Sequence, residues 1–183
     1  MIATTHLIAS AAITAYCLKN GVKPLRAITY GFTSHICLDL ILHAEESDVG
    51  GSFTEFGTPA NIAAVIDNLV GFGVLFWLVY ILPWLRTKLT ILITLASWGP
   101  DVVETGIKML KLNFWLAQIW MKAHEALHFW KPLPDYPRIE IGIITTIAVT
   151  FFLLRYLRLE YLRRVDEEKT QERFRAHIQE IYS

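Results

Sequence analysis

The chain has 183 residues, enough for one domain; 54% are hydrophobic, 19% are charged, and the formal net charge is zero. That balance leaves no basic footprint for nucleic acid. The two cysteines, Cys17 and Cys37, lie in apolar stretches and give no disulfide framework. Several long apolar runs, with charges gathered at segment ends and in the C-terminal tail, predict an all-α fold: a polytopic helical membrane bundle.

Residues 2–18 are read as a first span, retained in the mature chain, because "MIATTH" lacks the basic region of a secretory signal. A second span covers 25–43. The third, "NIAAVIDNLVGFGVLFWLVYILPWL" (61–85), and the fifth, "IEIGIITTIAVTFFLLRYL" (139–157), are the clearest, each long enough to cross roughly 30 Å of hydrocarbon. Between them "TKLTILITLASWGPDVVETGIKML" (87–110) is a fourth, predicted to kink at Gly99-Pro100. The stretch 112–130 is helical in pattern and dense in Trp and Phe, as suits an amphipathic helix at the membrane surface. "KPLPDYP" (131–137) breaks the chain before the last span. Residues 159–182 mix acids and bases at helical spacing and read as a solvated helix with i,i+4 ion pairs, His177 being an ordinary surface residue. The organisation expected is a membrane domain over 1–158 and a charged cytoplasmic tail over 159–183.

Sidedness follows from Lys19, Lys23 and Arg26 after the first span, Arg86 and Lys88 after the third, and Arg155, Arg158, Arg163 and Arg164 at the end of the last. The loop 44–61 has four acids and no base. The positive-inside rule then sets the N-terminus outside and the C-terminus in the cytoplasm, with five spans crossing the plasma membrane.

Ionisable residues interrupt these spans. In "GFTSHICLDLILH", His35, Asp39 and His43 recur at i, i+4 and i+8, one face of a helix, with about 6 Å between successive members. Cys37 lies about 200° from His35 and faces away. Counting 1.5 Å per residue from the cytoplasmic ends sets Asp39 and Asp101 at roughly 20 Å, with His6 and Asp67 near the same height. Carboxylates so grouped repel one another, and the spans offer few cations apart from Lys108. A divalent cation resolves the conflict, because carboxylate oxygens and neutral imidazoles are its common ligands. The alternative is an Asp–His hydrogen-bonded core without metal, or a proton or solute pathway.

"HEALH" (124–128) adds His124 and His128 at i and i+4, the spacing with which zinc proteases bind metal and use the intervening glutamate, here Glu125, as general base. The same histidines suit the layer already described. Glu104, one turn after Asp101, is a ligand, a base, or the i,i+4 partner of Lys108. Asn68 reads as a helix–helix hydrogen bond.

"TTHLIASAAI", "GFTSHICLDLILH", Asp67, "GPDVVE" and a late His-rich helix follow one another in an order that resembles small bacterial membrane proteins allied to the membrane-bound metal-dependent hydrolases, a group with a distant likeness to zinc-dependent phospholipase C. The resemblance covers roughly residues 1–130. It implies His6, His35, Asp39 and Asp101 as a metal set, with His43, Asp67, His124 and His128 as additions. The chain departs from the better-known members in having Val103 where a second Asp follows the Pro-Asp pair, and in the order of the two motifs.

The function expected is metal-assisted hydrolysis of a lipid-like phosphoester or ester, with zinc or manganese as cofactor, membrane lipids as surroundings and Asp67, Glu104 or Glu125 as base. Two rivals stand beside it: an intramembrane zinc protease built on "HEALH", and a non-catalytic scaffold or transporter with a structural polar core.

Overall fold

The computed structural model describes residues 3–41, 56–127 and 135–182. His43, His128 and most of the acidic loop lie outside the described residues. Those described form six α-helices and one 3-10 turn, with no strand: α1 (Ala3–Lys19), α2 (Pro24–Leu40), α3 (Pro59–Ile81), the turn Pro83–Leu85, α4 (Lys88–Met109), α5 (Trp115–Leu127) and α6 (Asp135–Tyr182).

Local chemistry sets the starts. Thr58 and Thr87 cap α3 and α4, their hydroxyls accepting from the amides of Asn61 and Thr90 at 3.2 and 3.3 Å. Pro24 and Pro59 stand in first turns, where a missing N–H costs nothing. Pro137 does the same in α6, so the helix begins inside the stretch expected to break the chain. The last expected span and the charged tail share one helix. A single helix of 48 residues, about 72 Å long, runs through both.

α1 is the axis of the bundle, contacting α2, α3, α4 and α6. Its small residues permit this: Ala11, Ala12 and Ala15, with Leu7 and Ile8, are buried against Leu75, Leu78 and Leu82 around α3 and Leu157 of α6. Gly71 of α3 touches the first turn of α1, where an added Cβ would sit 2.9 Å from the Thr4 Cα. Gly31 of α2 similarly meets the Ile93 carbonyl of α4 at 2.9 Å. Such close approach admits no larger residue.

Beside this apolar core the bundle buries a polar set and exposes large apolar side chains. His6, Ser10, Thr14, His35, Asp39 and Ser97 are buried, while Ile66, Leu69, Phe76, Leu95, Ile144 and Phe151 face outward. Among the described residues two helices are long and apolar enough to cross a membrane: α3, and α6 within Glu140–Gln179. α1 and α2 have 17 residues each, about 25 Å, and α4 is diluted by Gly99-Pro100, Asp101 and Glu104. Among the described residues, length and composition alone mark two of the five expected spans.

At the far end of α1, Glu160 of α6 is buried among cations. Its carboxylate lies 3.6 Å from Lys19 Nζ, accepts from Arg163 Nε at 3.0 Å, and lies 3.3 Å from Arg164 Nε. The Arg164 guanidinium stacks 4.3 Å over the Trp84 ring. The tail expected to be wholly solvated is therefore fastened to α1 and the 3-10 turn at its start. From Asp166 onward it is exposed up to Gln179, His177 included.

Candidate metal centre

Four helices bring their ionisable side chains to one place. α1 contributes His6 from its second turn, α2 contributes His35 and Asp39 one turn apart near its end, α4 contributes Asp101, and α5 contributes His124. The i,i+4 spacing of His35 and Asp39 makes them neighbours, with Nε2 3.1 Å from Oδ2. His6 Nε2 lies 3.4 Å from Asp39 Oδ1 and 3.6 Å from Asp101 Oδ2. His124 Nε2 lies 3.3 Å from Asp39 Oδ2 and 3.5 Å from Asp101 Oδ1. His35 stacks between His6 and His124, with centroids 4.9 and 5.2 Å away.

These separations have a physical reading. Ligands about 2.1 Å from a tetrahedral cation stand about 3.4 Å from one another. The nitrogen–oxygen distances above cluster around that value, and one atom each from His6, His35, Asp39 and Asp101 all lie within 4.8 Å of one another. Asp101, Glu104 and His124 form a second group meeting the same criterion, with Asp101 common to both.

Neither ring nitrogen of His6 makes a hydrogen bond among the described residues, nor does His35 Nδ1, although all three are buried. Buried polar atoms normally find partners. Charge points the same way: Asp39, Asp101 and Glu104 bring three carboxylates, and Lys108 is the cation paired with one of them. A divalent ion would balance the remainder.

The cluster has an open side. Among the described residues His6 and Asp39 are fully buried at the side chain, whereas Asp101 is 26% exposed and so forms the accessible edge of the set. Behind the cluster stands an ordering chain. Lys108 contacts Glu104 at i,i+4, and the other Glu104 oxygen contacts His124 Nδ1, leaving His124 Nε2 toward Asp39 and Asp101. A carboxylate behind a histidine fixes its tautomer and ring orientation. Both partners anticipated for Glu104, the site and Lys108, are present together.

No protein-family profile, curated protein or solved structure matches this chain. The site therefore rests on its own geometry.

Other expected residues fall elsewhere. Asp67 engages the start of α1: its Oδ1 accepts from the Thr4 hydroxyl at 2.7 Å, and the Thr4 amide lies 3.4 Å from both carboxylate oxygens. Glu125 is exposed on α5, while His124 beside it is buried. Asn68 donates to Ala64, a carbonyl of its own helix, at 2.8 Å. Cys37 is exposed, on the side away from the cluster.

Sequence reading passed over a ladder of hydroxyls beneath the cluster. Ser10 and Thr94 are 2.9 Å apart, Ser34 and Ser97 3.2 Å, and Ser97 Oγ donates to the His6 carbonyl at 3.3 Å. These bonds tie α1 and α2 to α4 just below the histidines. Hydroxyl residues spaced along apolar helices were the available signal.

Proposed function

We propose that this chain is a membrane-embedded, metal-dependent hydrolase acting on a lipid-like phosphoester or ester. The observation that carries the proposal is the buried meeting of His6, His35, Asp39 and Asp101 at separations suited to one tetrahedral cation. The outward-facing apolar side chains and the two long apolar helices support a bilayer setting. The five-span topology, with the N-terminus outside, is part of the same proposal, α1, α2 and α4 being carried across by the polar contacts they make with one another. The likeness of "TTHLIASAAI" and "GFTSHICLDLILH" to the membrane-bound hydrolase group agrees with it.

In this reading His6, His35, Asp39 and Asp101 hold the ion, zinc or manganese. The ion supplies Lewis-acid polarisation of a phosphoryl or acyl oxygen and lowers the pKa of water. The chain supplies the rest. Glu104 orients His124 through Nδ1, so that Nε2, which faces His35, Asp39 and Asp101, would take a proton from the attacking water and return it to the leaving oxygen. Glu104 then stabilises the imidazolium, and Lys108 keeps Glu104 ionised. The exposed edge of Asp101 is the side from which substrate approaches.

The protease reading is weaker because Glu125, its base, points to the exterior while His124 points inward. The purely structural reading accounts for His6 Nε2 through Asp39 and Asp101 and leaves His6 Nδ1 buried without a hydrogen bond among the described residues.

Metal analysis of the purified protein tests the proposal. Roughly stoichiometric zinc or manganese is expected, lost when His35 and Asp39 are both changed to Ala, together with hydrolysis of a phospholipid substrate. A metal-free wild-type protein, equally stable with and without added cation, overturns it.

A further inference from the structure

Between α3 and α4, away from the histidine cluster, a groove of about 550 Å³ opens on the surface of the bundle. Its walls are apolar along most of its length, Phe72, Leu75, Phe76 and Val79 facing Ile91, Leu95 and Trp98, with Trp98 set edge-on to Phe72 at 4.9 Å. One end differs: Arg86, Thr87 and Lys88 line it there. Arg86 donates from Nε to the Val79 carbonyl at 3.2 Å and from Nη2 to the Tyr80 carbonyl at 2.9 Å, closing the end of α3 and fixing its guanidinium at the groove mouth. Lys88 is exposed, and neither cation pairs with a carboxylate among the described residues.

We propose that this groove binds one anionic phospholipid, with an acyl chain against Phe72, Leu95 and Trp98 and its phosphate between Arg86 and Lys88. Length favours this occupant. From Lys88 to Trp98 the helix rises about 15 Å, half of a hydrocarbon core of about 30 Å, so the groove spans one leaflet. Charge favours it too. Lys19, Lys23 and Arg26 lie near helix ends at that side in the proposed topology, and Arg155 and Arg158 at the end of the proposed last span within α6, which makes it the cytoplasmic, anion-attracting face. The phosphate would sit about 20 Å along α4 from Asp101, so this lipid is a resident of the fold, distinct from substrate. The inference rests on the membrane setting proposed above and is independent of the metal.

The test reconstitutes wild-type, Lys88→Glu and Leu95→Trp proteins into nanodiscs containing equal dioleoyl-phosphatidylglycerol and dioleoyl-phosphatidylethanolamine. Lipid retained after extraction into neutral detergent is then read by native mass spectrometry, beside metal content. Wild type is expected to keep a single phosphatidylglycerol. Lys88→Glu should retain roughly tenfold less, as reversing one charge beside a phosphate implies. Leu95→Trp should fill the groove and lose the lipid with headgroup contacts intact, and metal content should be equal in all three. Equal retention of both lipids, or unchanged retention in Lys88→Glu, overturns the proposal. So does a dimer that Leu95→Trp dissociates, since the groove is then covered by a second copy. A protein that stays in solution without detergent refutes the membrane setting itself, a result separable from the others.

Discussion

Asp67 caps a helix to which it does not belong. Its carboxylate, on α3, receives the hydroxyl and faces the amide of Thr4 in the first turn of α1, two residues before His6. A negative group there complements the helix dipole. Asp67→Ala should lower stability by about 1–2 kcal/mol, on the scale of a lost N-cap. It should also weaken metal binding without abolishing it, because His6 loses only its brace. Thermal unfolding and metal titration of the detergent-solubilised variant give both numbers. Complete metal loss at unchanged stability would make Asp67 a ligand instead.

Chelation should lower the melting temperature of the wild-type protein. A ligand held at about a thousand times its Kd contributes about 4 kcal/mol to the folded state. His35→Ala and Asp39→Ala should each be insensitive to chelator, having no site to empty. A chelator-induced shift of wild-type size in both variants would locate the metal elsewhere.

Asp101→Asn and Glu125→Gln divide the two enzyme readings. Asp101 faces His6, His35 and His124, so its amide should lose metal and ester hydrolysis together. Glu125 is exposed, and Glu125→Gln should retain metal and activity within a few-fold, as a surface substitution would. Assays on a phospholipid and on a transmembrane peptide belong side by side. A metal-replete, inactive Glu125→Gln beside a near-normal Asp101→Asn would hand the site to the protease reading.

Two glycines should be intolerant of a single methyl. Gly71→Ala would drive Cβ to 2.7 Å from Leu7 Cδ1 and 2.9 Å from the Thr4 backbone, and Gly31→Ala would reach 2.9 Å from the Ile93 carbonyl. Each should cost about 1–3 kcal/mol, the range for overpacking. Gly73→Ala meets nothing within 4 Å and serves as the control, neutral or slightly stabilising. Unfolding of the three variants in one detergent would decide it, and equal stabilities would argue against this packing of α3 on α1.

Glu160 gives the bundle an acid-labile fastening. Hydrogen bonding from Arg163, with the charges of Lys19 and Arg164, holds its carboxyl below the usual carboxylate range despite burial. A depressed folded-state value stabilises the fold above the ordinary glutamate value of about 4.5. That contribution drains away as pH falls through the depressed value. Glu160→Gln should therefore be less stable than wild type by about 1 kcal/mol at neutral pH, and the gap should narrow in acid. A gap constant from pH 7 to pH 3 would show that packing, rather than charge, is what Glu160 contributes.

The helical architecture was legible where chemistry is one-dimensional. A long apolar sequence broken at Asp67-Asn68 marks α3, and an ionisable stripe at i,i+4 marks His35 and Asp39, because helix periodicity converts spacing into a face. His6 and Asp101 follow from height alone, since rise per residue is constant, and His124 from the spacing of "HEALH". Height carries no azimuth, however. Asp67 shares the level of the cluster, yet α3 turns it toward Thr4, a relation that only the packing of α1 on α3 determines. Glu160 was hidden for a related reason. In a run such as "LEYLRRVDEEK" a buried carboxylate and a solvated one have the same neighbours in sequence, and what separates them is Lys19 and Trp84 arriving from elsewhere.

The central position of α1 has a bearing on biosynthesis. Among the described helices it precedes in sequence every partner it packs against, the most distant being α6, where Thr150 meets Thr5 at 3.2 Å. Domains ordinarily mature in the order they are made. Here a polar, alanine-rich helix waits for partners synthesised after it, and the cluster around His6 is complete only once α5 has brought His124 to Asp39 and Asp101.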